Sequence, residues 1–298
     1  MSVASFTSAA TVDDALAALA AGARPVAGGT DLVVGARQGK APLPERIVAI
    51  DRVAELSGIS ELDGALHLGA LATHSEIATH PLVRERFTAL ADASAIVGSR
   101  ATRAHGTIGG NLMNASPAME TGGPLQCLDA SVMLQSSRGS RWVPVAELFG
   151  GPGATTAQPD ELLVAVDVPA PAEGTASAYV RLEYRRQMEI AVVGATAAVT
   201  LAGGAVSAAR VAITALAPTI RRVPEAEAAL ESSDGGEAAV AAAAAAAAAA
   251  SAPISDVRAS EGYRRAMAEV IARRAIEAAL ARGRGELVPI PASSGGTG

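Results

Sequence analysis

Residues 107–130 read TIGGNLMNASPAMETGGPLQCLDA. Two adjacent glycines precede an asparagine, two more precede a proline, and almost no charge lies between them apart from the carboxylate of Glu120. Glycine lets a backbone approach a ligand closely, and successive N–H groups that point into one concavity favour an anion. A segment of bare backbone, small hydroxyls and one carboxylate therefore suits a large ligand with an anionic centre, and the rest of the chain has to say which.

The chain has 298 residues, enough for two domains and a sizeable buried core. It is 50% hydrophobic and 18% charged, which is the balance of a folded globular protein and not of a disordered one. A formal charge of -6 and an aromatic content of 2% remove the electrostatic and stacking case for a nucleic-acid partner. Apart from an alanine tract after Glu237, which is helical but weakly hydrophobic, no apolar run is fit to span a bilayer. The amino terminus, MSVASFTSAATVDD, lacks the basic start and apolar centre of a secretory signal, so a cytoplasmic location is expected. Cys127 is the single cysteine: an intrachain disulfide is excluded, and so is an iron–sulfur cluster held by this chain's own thiolates. Among Leu125, Leu128 and Ala130 it reads as a small buried thiol. His67, His74, His80 and His105 have neither helical zinc spacing nor a cysteine cluster beside them, so no metal site is expected.

Upstream, residues 11–39 read TVDDALAALAAGARPVAGGTDLVVGARQG. Thr11 with Asp14 makes a capping-box start, Val12, Leu16 and Leu19 form an apolar stripe, and Gly22 is the stop. Pro25 to Ala27 then read as extended and run into the glycine turn Gly28-Gly29-Thr30-Asp31, after which Leu32-Val33-Val34 opens a helix or a further extended segment. This turn is a first backbone nest for an anion, although it is neither a Walker loop nor the G-x-G-x-x-G fingerprint. Short strands are expected at Ile47 to Ile50 and at Leu66 to Leu68, with a second capping box at Thr73 and Glu76, a stop at Pro81 and a helix from Phe87 to Val97. A basic loop with Arg100 and Arg103 leads into Thr107 to Asn111, read as a second nest. Two nests about eighty residues apart suit a long diphosphate ligand gripped from two sides.

From Thr175 the character changes. Residues 195–218, ATAAVTLAGGAVSAARVAITALAP, are two strands joined by a Gly203-Gly204 hairpin. Residues 262–280 place Tyr263, Met267, Val270, Ile271 and Ile276 along one helical face with arginines opposite. The alanine tract between reads as a solvent-facing filler helix, and Arg185-Arg186 as an exposed pair or a group facing a ligand or partner.

Taken together, AGGTDLVVGARQG, GSRATRAHGTIGGNLMNASPAMETGGPLQCLDA, ELFGGPGATTAQPDELLVAVDVP and YVRLEYRRQMEIAVVGATAAV resemble the FAD-binding subunits of the xanthine dehydrogenase and carbon monoxide dehydrogenase family, the molybdenum hydroxylases. The resemblance covers about Ser5 to about Leu280. It implies an α+β fold: an FAD-binding domain over residues 1–174, made of two α/β subdomains that divide near residue 55, then a C-terminal antiparallel sheet with helices over 175–285 and a flexible tail over 286–298. It also implies FAD as cofactor. Ala27, Gly28, Gly29, Thr30, Asp31 and Leu32 match the first FAD loop, with Arg24 at a position that is often basic; Thr107, Gly109, Gly110, Asn111 and Ser116 match the second. Glu120 stands where the family usually has an aspartate bonding the adenosine ribose, while Leu163, Arg181 and Val97 match positions at the flavin end. No residue of this chain is implied as a catalytic acid or nucleophile.

By the same resemblance the chain is the middle-sized, FAD-carrying subunit of a heteromeric enzyme. A small iron–sulfur subunit and a large molybdenum–pterin subunit are implied as partners, in a dimer of heterotrimers, and FAD passes electrons to an external acceptor. Two other readings stay open at this point: a free-standing FAD-dependent reductase, and a non-redox nucleotide-binding assembly module that kept the fold.

Overall fold

The computed structural model describes residues 3–293 apart from 40 and 186, so Arg186 lies outside the described residues. The chain opens with β1 (Ser5–Ser8), α1 (Val12–Ala20), β2 (Arg24–Val26), α2 (Leu32–Arg37) and β3 (Arg46–Ala49). The strands form a parallel sheet in the order β1-β3-β2, with Phe6 opposite Ile47 and Pro25 opposite Val48. Parallel strands cannot be joined by a tight hairpin, so α1 makes the crossover, started by the Thr11–Asp14 capping box. Leu16, Leu19, Val48 and Ile50 close a small core that also takes in Leu71, Leu162 and Val164 from the next layer.

That next layer is a five-stranded antiparallel sheet in the order β4-β5-β10-β6-β7, built from β4 (Ile59–Leu62), β5 (Ala65–Gly69), β6 (Ser131–Ser136), β7 (Gly139–Pro144) and β10 (Leu162–Val168). Asp63 and Gly64, both in the left-handed region, close the β4–β5 hairpin, which is the turn geometry that matches strand twist. Between β5 and β6 run α3 (His74–Thr79), α4 (Pro81–Arg86), α5 (Thr88–Ile96), α6 (Arg100–His105), α7 (Ile108–Asn114) and α8 (Gly122–Cys127). The short α9 (Val145–Leu148) and the ribbon of β8 (Phe149–Gly151) and β9 (Ala154–Thr155) complete this part. Two local expectations change here. Pro81 follows α3 but also opens α4, where its missing N–H costs nothing; and the basic loop is the helix α6, because the Ser99 hydroxyl accepts from the Thr102 amide at 3.1 Å and caps it.

The C-terminal part is a four-stranded antiparallel sheet of β11 (Thr175–Leu182), β12 (Val193–Ala202), β13 (Ala205–Thr214) and β14 (Arg221–Arg222), covered by α10 (Pro224–Leu230), α11 (Glu237–Ala249) and α12 (Glu261–Gly283). Gly203 and Gly204 turn the β12–β13 hairpin with φ of 58° and 84°. Strand β12 is buried on both faces. Val193, Ala195, Ala197 and Val199 pack with α11 and α12, while a Cβ on Gly123 of α8 would lie 2.5 Å from the Thr196 hydroxyl. The sheet is thus a shared layer between its own helices and those of the preceding part.

The helices correct two sequence expectations. Helix α11 does not face solvent on all sides, since Val240, Ala243, Ala244 and Ala247 are buried; alanine methyls are small enough to let α11 lie close to α12. On α12 the buried residues include Ile271 and Ile276, but Tyr263 is exposed and Arg264 is buried, its guanidinium donating to the Val192 carbonyl at 2.6 Å and to Asp256 at 2.7 Å.

One carboxylate ties these layers together. Asp92, on α5 and fully buried, accepts from Arg282 of α12 at 2.7 and 2.9 Å, from the Tyr179 amide of β11 at 3.1 Å and from the Ala292 amide at 2.9 Å. The last bond pins Ala292, itself buried, so the described end of the presumed flexible tail is anchored. Replacing Asp92 by alanine strands a buried guanidinium and should cost about 3–5 kcal/mol, the usual penalty for breaking a buried ion pair from one side. Chemical denaturation should register that loss, and hydrogen exchange at the Ala292 amide should be faster in Asp92→Ala than in the unaltered chain.

Candidate functional site

Beyond β2 the chain turns through Ala27 to Asp31 into α2, and this turn is held by contact with a distant residue. A Cβ at Gly28 would stand 1.8 Å from the carbonyl oxygen of His105, so only glycine lets the two segments close on each other. Gly29 needs the left-handed region, at φ 66°. The amides of Gly28, Gly29 and Thr30 donate to no acceptor among the described residues, and unpaired N–H groups at a surface turn are what an anion needs. Helix α2 buries no residue, and its Val33 and Val34 are exposed.

The second glycine segment behaves differently. Thr107 is the N-cap of α7, and every amide from Ile108 to Asn111 is already bonded: to the Ala72 carbonyl at 2.9 Å, the Ala70 carbonyl at 2.9 Å, the Thr107 hydroxyl at 3.0 Å and the Thr107 carbonyl at 2.9 Å. The expectation of two amide nests is therefore corrected to one nest and one capped helix start. Gly109 is glycine for packing, since a Cβ would come within 2.8 Å of the Ala70 carbonyl. Gly110 is exposed, and its missing Cβ would meet only the Thr107 hydroxyl, at 3.0 Å. The segment presents a smooth backbone surface next to the free amides of the first turn, because the Gly106 position approaches the Thr30 hydroxyl.

Further along α7, the Asn111 side-chain oxygen accepts from the Thr121 hydroxyl at 2.6 Å. The neighbouring Glu120 is buried and ion-paired with Arg181 of β11. Burial pushes the Glu120 carboxyl up to about 7 in spite of the arginine beside it. By resemblance Glu120 is expected at the adenosine ribose and Arg181 at the flavin end; the structure brings the two side chains into contact. Val97 belongs to the same neighbourhood. Its carbonyl accepts from Arg103 at 3.0 Å, the next carbonyl, of Gly98, accepts from the Met188 amide at 2.9 Å, and Arg181 reaches the Glu189 carbonyl at 3.4 Å.

The remaining residues scatter. Ser116 uses its hydroxyl to accept from the Ala118 amide at 3.2 Å, Arg24 is exposed at the start of β2, and Leu163 is buried in the core of the five-stranded sheet. Cys127 is buried, and burial pushes its thiol well above its ordinary value. No group of three metal-binding side chains occurs among the described residues, and no described helix is long and apolar enough to cross a membrane. Sequence reasoning missed the His105 carbonyl, Thr121 and Glu183, which shares Arg181 with Glu120. Backbone carbonyls carry no sequence signal, and Glu183 looks like any surface glutamate in a charged run.

A turn with free amides, a glycine-smoothed helix start and an adjoining buried ion pair fit a dinucleotide cofactor, and comparison with known proteins agrees. Residues 2–171 match the family described as the FAD binding domain in molybdopterin dehydrogenase, and residues 178–279 match the CO dehydrogenase flavoprotein C-terminal domain. The chain is 33% identical over 239 residues to the carbon monoxide dehydrogenase medium chain of Hydrogenophaga pseudoflava, covering 80% of this chain and 83% of that one. It is 31% identical over 288 residues to the xanthine dehydrogenase FAD-binding subunit of Escherichia coli O157:H7, covering 95% and 98%. Among solved structures, carbon monoxide dehydrogenase from Hydrogenophaga pseudoflava superposes with a TM-score of 0.89 at 33% identity over 93% of this chain and 97% of that one. Quinoline 2-oxidoreductase from Pseudomonas putida 86 gives 0.87 at 30% identity over 94% and 97%.

The contact of Gly28 with His105 can be tested without any ligand. Gly28→Ala must part the two segments, and the overpacking should cost about 1–3 kcal/mol. Hydrogen exchange should show faster exchange at Gly106, whose amide bonds to the Thr102 carbonyl at 2.6 Å, with no change in the C-terminal sheet.

Proposed function

The chain belongs to the FAD-binding subunits of the molybdopterin dehydrogenase family, and from that premise we propose that it is the electron exit of a heteromeric molybdenum hydroxylase. Its cofactor is FAD. Substrate is oxidised on a large molybdenum–pterin subunit, electrons reach this chain through a small iron–sulfur subunit, and they leave from it to an external acceptor; the complex is a dimer of such heterotrimers. FAD, when bound, supplies the two-electron chemistry of that last transfer.

The observation that carries the reading is the set of unpaired amides at Gly28, Gly29 and Thr30, held open by the close approach of Gly28 to His105. These amides would take the diphosphate, with the Thr30 hydroxyl beside them. Gly110, exposed at the start of α7, would supply the surface against which the cofactor lies, with Thr107 capping and Gly109 packing behind it and Asn111 and Ser116 continuing it. Glu120 and Arg181 are assigned together to the ring end with Val97, because the Arg181 guanidinium and the carbonyl of Gly98, next to Val97, bond to the adjacent residues Glu189 and Met188. The apolar Val33 and Val34, exposed on α2, are a surface for FAD or a neighbouring subunit to cover. The single cysteine is consistent with clusters held on another chain.

The purified complex should release one FAD per copy of this chain on denaturation; a complex that releases none and stays apo after FAD addition refutes the reading. Gly110→Val places branched carbon where the cofactor's backbone surface should be and should abolish FAD retention while the fold, followed by circular dichroism, persists. The chain alone should reduce no acceptor at the expense of a hydroxylase substrate, and turnover should appear only when both partner subunits are added.

A further inference from the structure

Glu120, Arg181 and Glu183 form one cluster where the FAD-binding part meets the C-terminal sheet. The Arg181 side chain is 1% exposed and that of Glu120 is 8% exposed, against 23% for Glu183. A single guanidinium serves two carboxylates: Nη1 donates to Glu120, while Nε and Nη2 lie 2.7 and 2.6 Å from Glu183 Oε2. With both acids ionised the cluster carries one excess negative charge. Arg103 is coupled to the cluster through its repulsion with Arg181. Arg103 turns its guanidinium to the Val97 carbonyl, Glu189 offers its backbone carbonyl to Arg181 and its carboxylate to Arg185 at 3.7 Å, and the Thr121 hydroxyl donates to Asn111. The Tyr179 hydroxyl on β11 is buried without a partner among the described residues, and on the α8 side stand the apolar Met119 and Ile220.

A buried excess charge is relieved most readily by a proton. Glu120 is the place for it, because it is the more enclosed acid, its side chain 8% exposed, whereas that of Glu183 is 23% exposed and partly solvated. Burial raises the Glu120 carboxyl to about 7 against the pull of Arg181, so its proton is sensitive to charge that arrives beside it.

Resting on the reading that FAD occupies the adjoining cradle, we propose that the Glu120–Arg181–Glu183 cluster is a redox-linked proton store: Glu120 takes up a proton when the flavin is reduced and returns it on reoxidation. In balance, two electrons arrive from the iron–sulfur partner, the flavin ring takes them with one proton and becomes an anion, and a second proton from water adds to a carboxylate oxygen of Glu120, giving the neutral acid. Reoxidation by the external acceptor reverses both steps. The cluster thereby keeps the net charge of the closed site constant across the cycle, a role distinct from holding the cofactor.

The test uses the complete complex, with FAD content measured first. Mediated redox titration of the bound FAD between about pH 7 and about pH 9, where an acid of this kind ionises, should follow two protons per two electrons in the unaltered protein. In Glu120→Gln the pH dependence of the FAD that the variant retains should fall to half, one proton per two electrons. Equal slopes in the two proteins overturn the proposal. A redox-difference infrared spectrum of the unaltered complex gives an independent reading should Glu120→Gln fold poorly: a protonated-carboxyl band must appear on reduction, and its absence overturns the proposal. An unaltered complex that contains no flavin sinks the parent reading and this one with it, whereas full flavin with equal slopes removes the proton store alone.

Discussion

The carboxylate of Asp92 is where the architecture closes. It sits on a helix of the FAD-binding part and is the common acceptor for an edge strand of the C-terminal sheet, the last long helix and the final described turn of chain. Four donors on one fully buried carboxylate satisfy a charge that would otherwise be intolerable in the interior. Because the donors lie from 87 to 200 residues beyond Asp92 in sequence, the two parts of the molecule cannot be correct separately. The face of β12 that meets α8, and with it the seam containing Glu120 and Arg181, has a fixed depth only while this contact holds.

The cofactor site divides its work between backbone and charge. Near the first turn, recognition depends on unpaired amides and on the absence of side chains, so it is indifferent to pH. At the other end of the seam, recognition and electrostatics merge, because one arginine is divided between two acids in a place that water scarcely reaches. A flavin protein has to hold one molecule in two charge states, and on the proposed reading the two ends would answer to different halves of that requirement: the amides to the constant diphosphate, the acids to the ring that changes.

Local signals in the sequence were faithful where they rest on nearby residues. The capping boxes at Thr11 and Thr73, the Gly203-Gly204 hairpin and the strands around Ile47 and Leu66 follow from rules that span a few positions. The glycine turn at Gly28 was legible for the same reason, but the partner that demands glycine there, the His105 carbonyl, was not, because any residue has a carbonyl. Amide satisfaction at Ile108 and Gly109 depends on Ala70 and Ala72, nearly forty residues earlier, so a helix start looked like an open nest. Arg264 likewise looked like a surface arginine until Asp256 and the Val192 carbonyl came to it through the fold. Glu120 and Arg181 were each picked out as site residues, yet their mutual contact spans sixty-one positions and no pattern in the sequence announces it.

The alanine helix α11 carries an unusual degeneracy. Its buried stripe is Val240, Ala243, Ala244 and Ala247, so beyond Val240 every turn offers α12 the same set of methyl groups. Sliding such a helix by one turn along its axis would exchange alanine for alanine and leave the packing almost unchanged. Val240, together with Gly236 at the start and Ser251 just past the end, is therefore the whole address by which α11 finds its register. A length change within the alanine run can be absorbed as a translation of the free end, whereas the loss of one branched side chain would leave the helix docked but without a unique position.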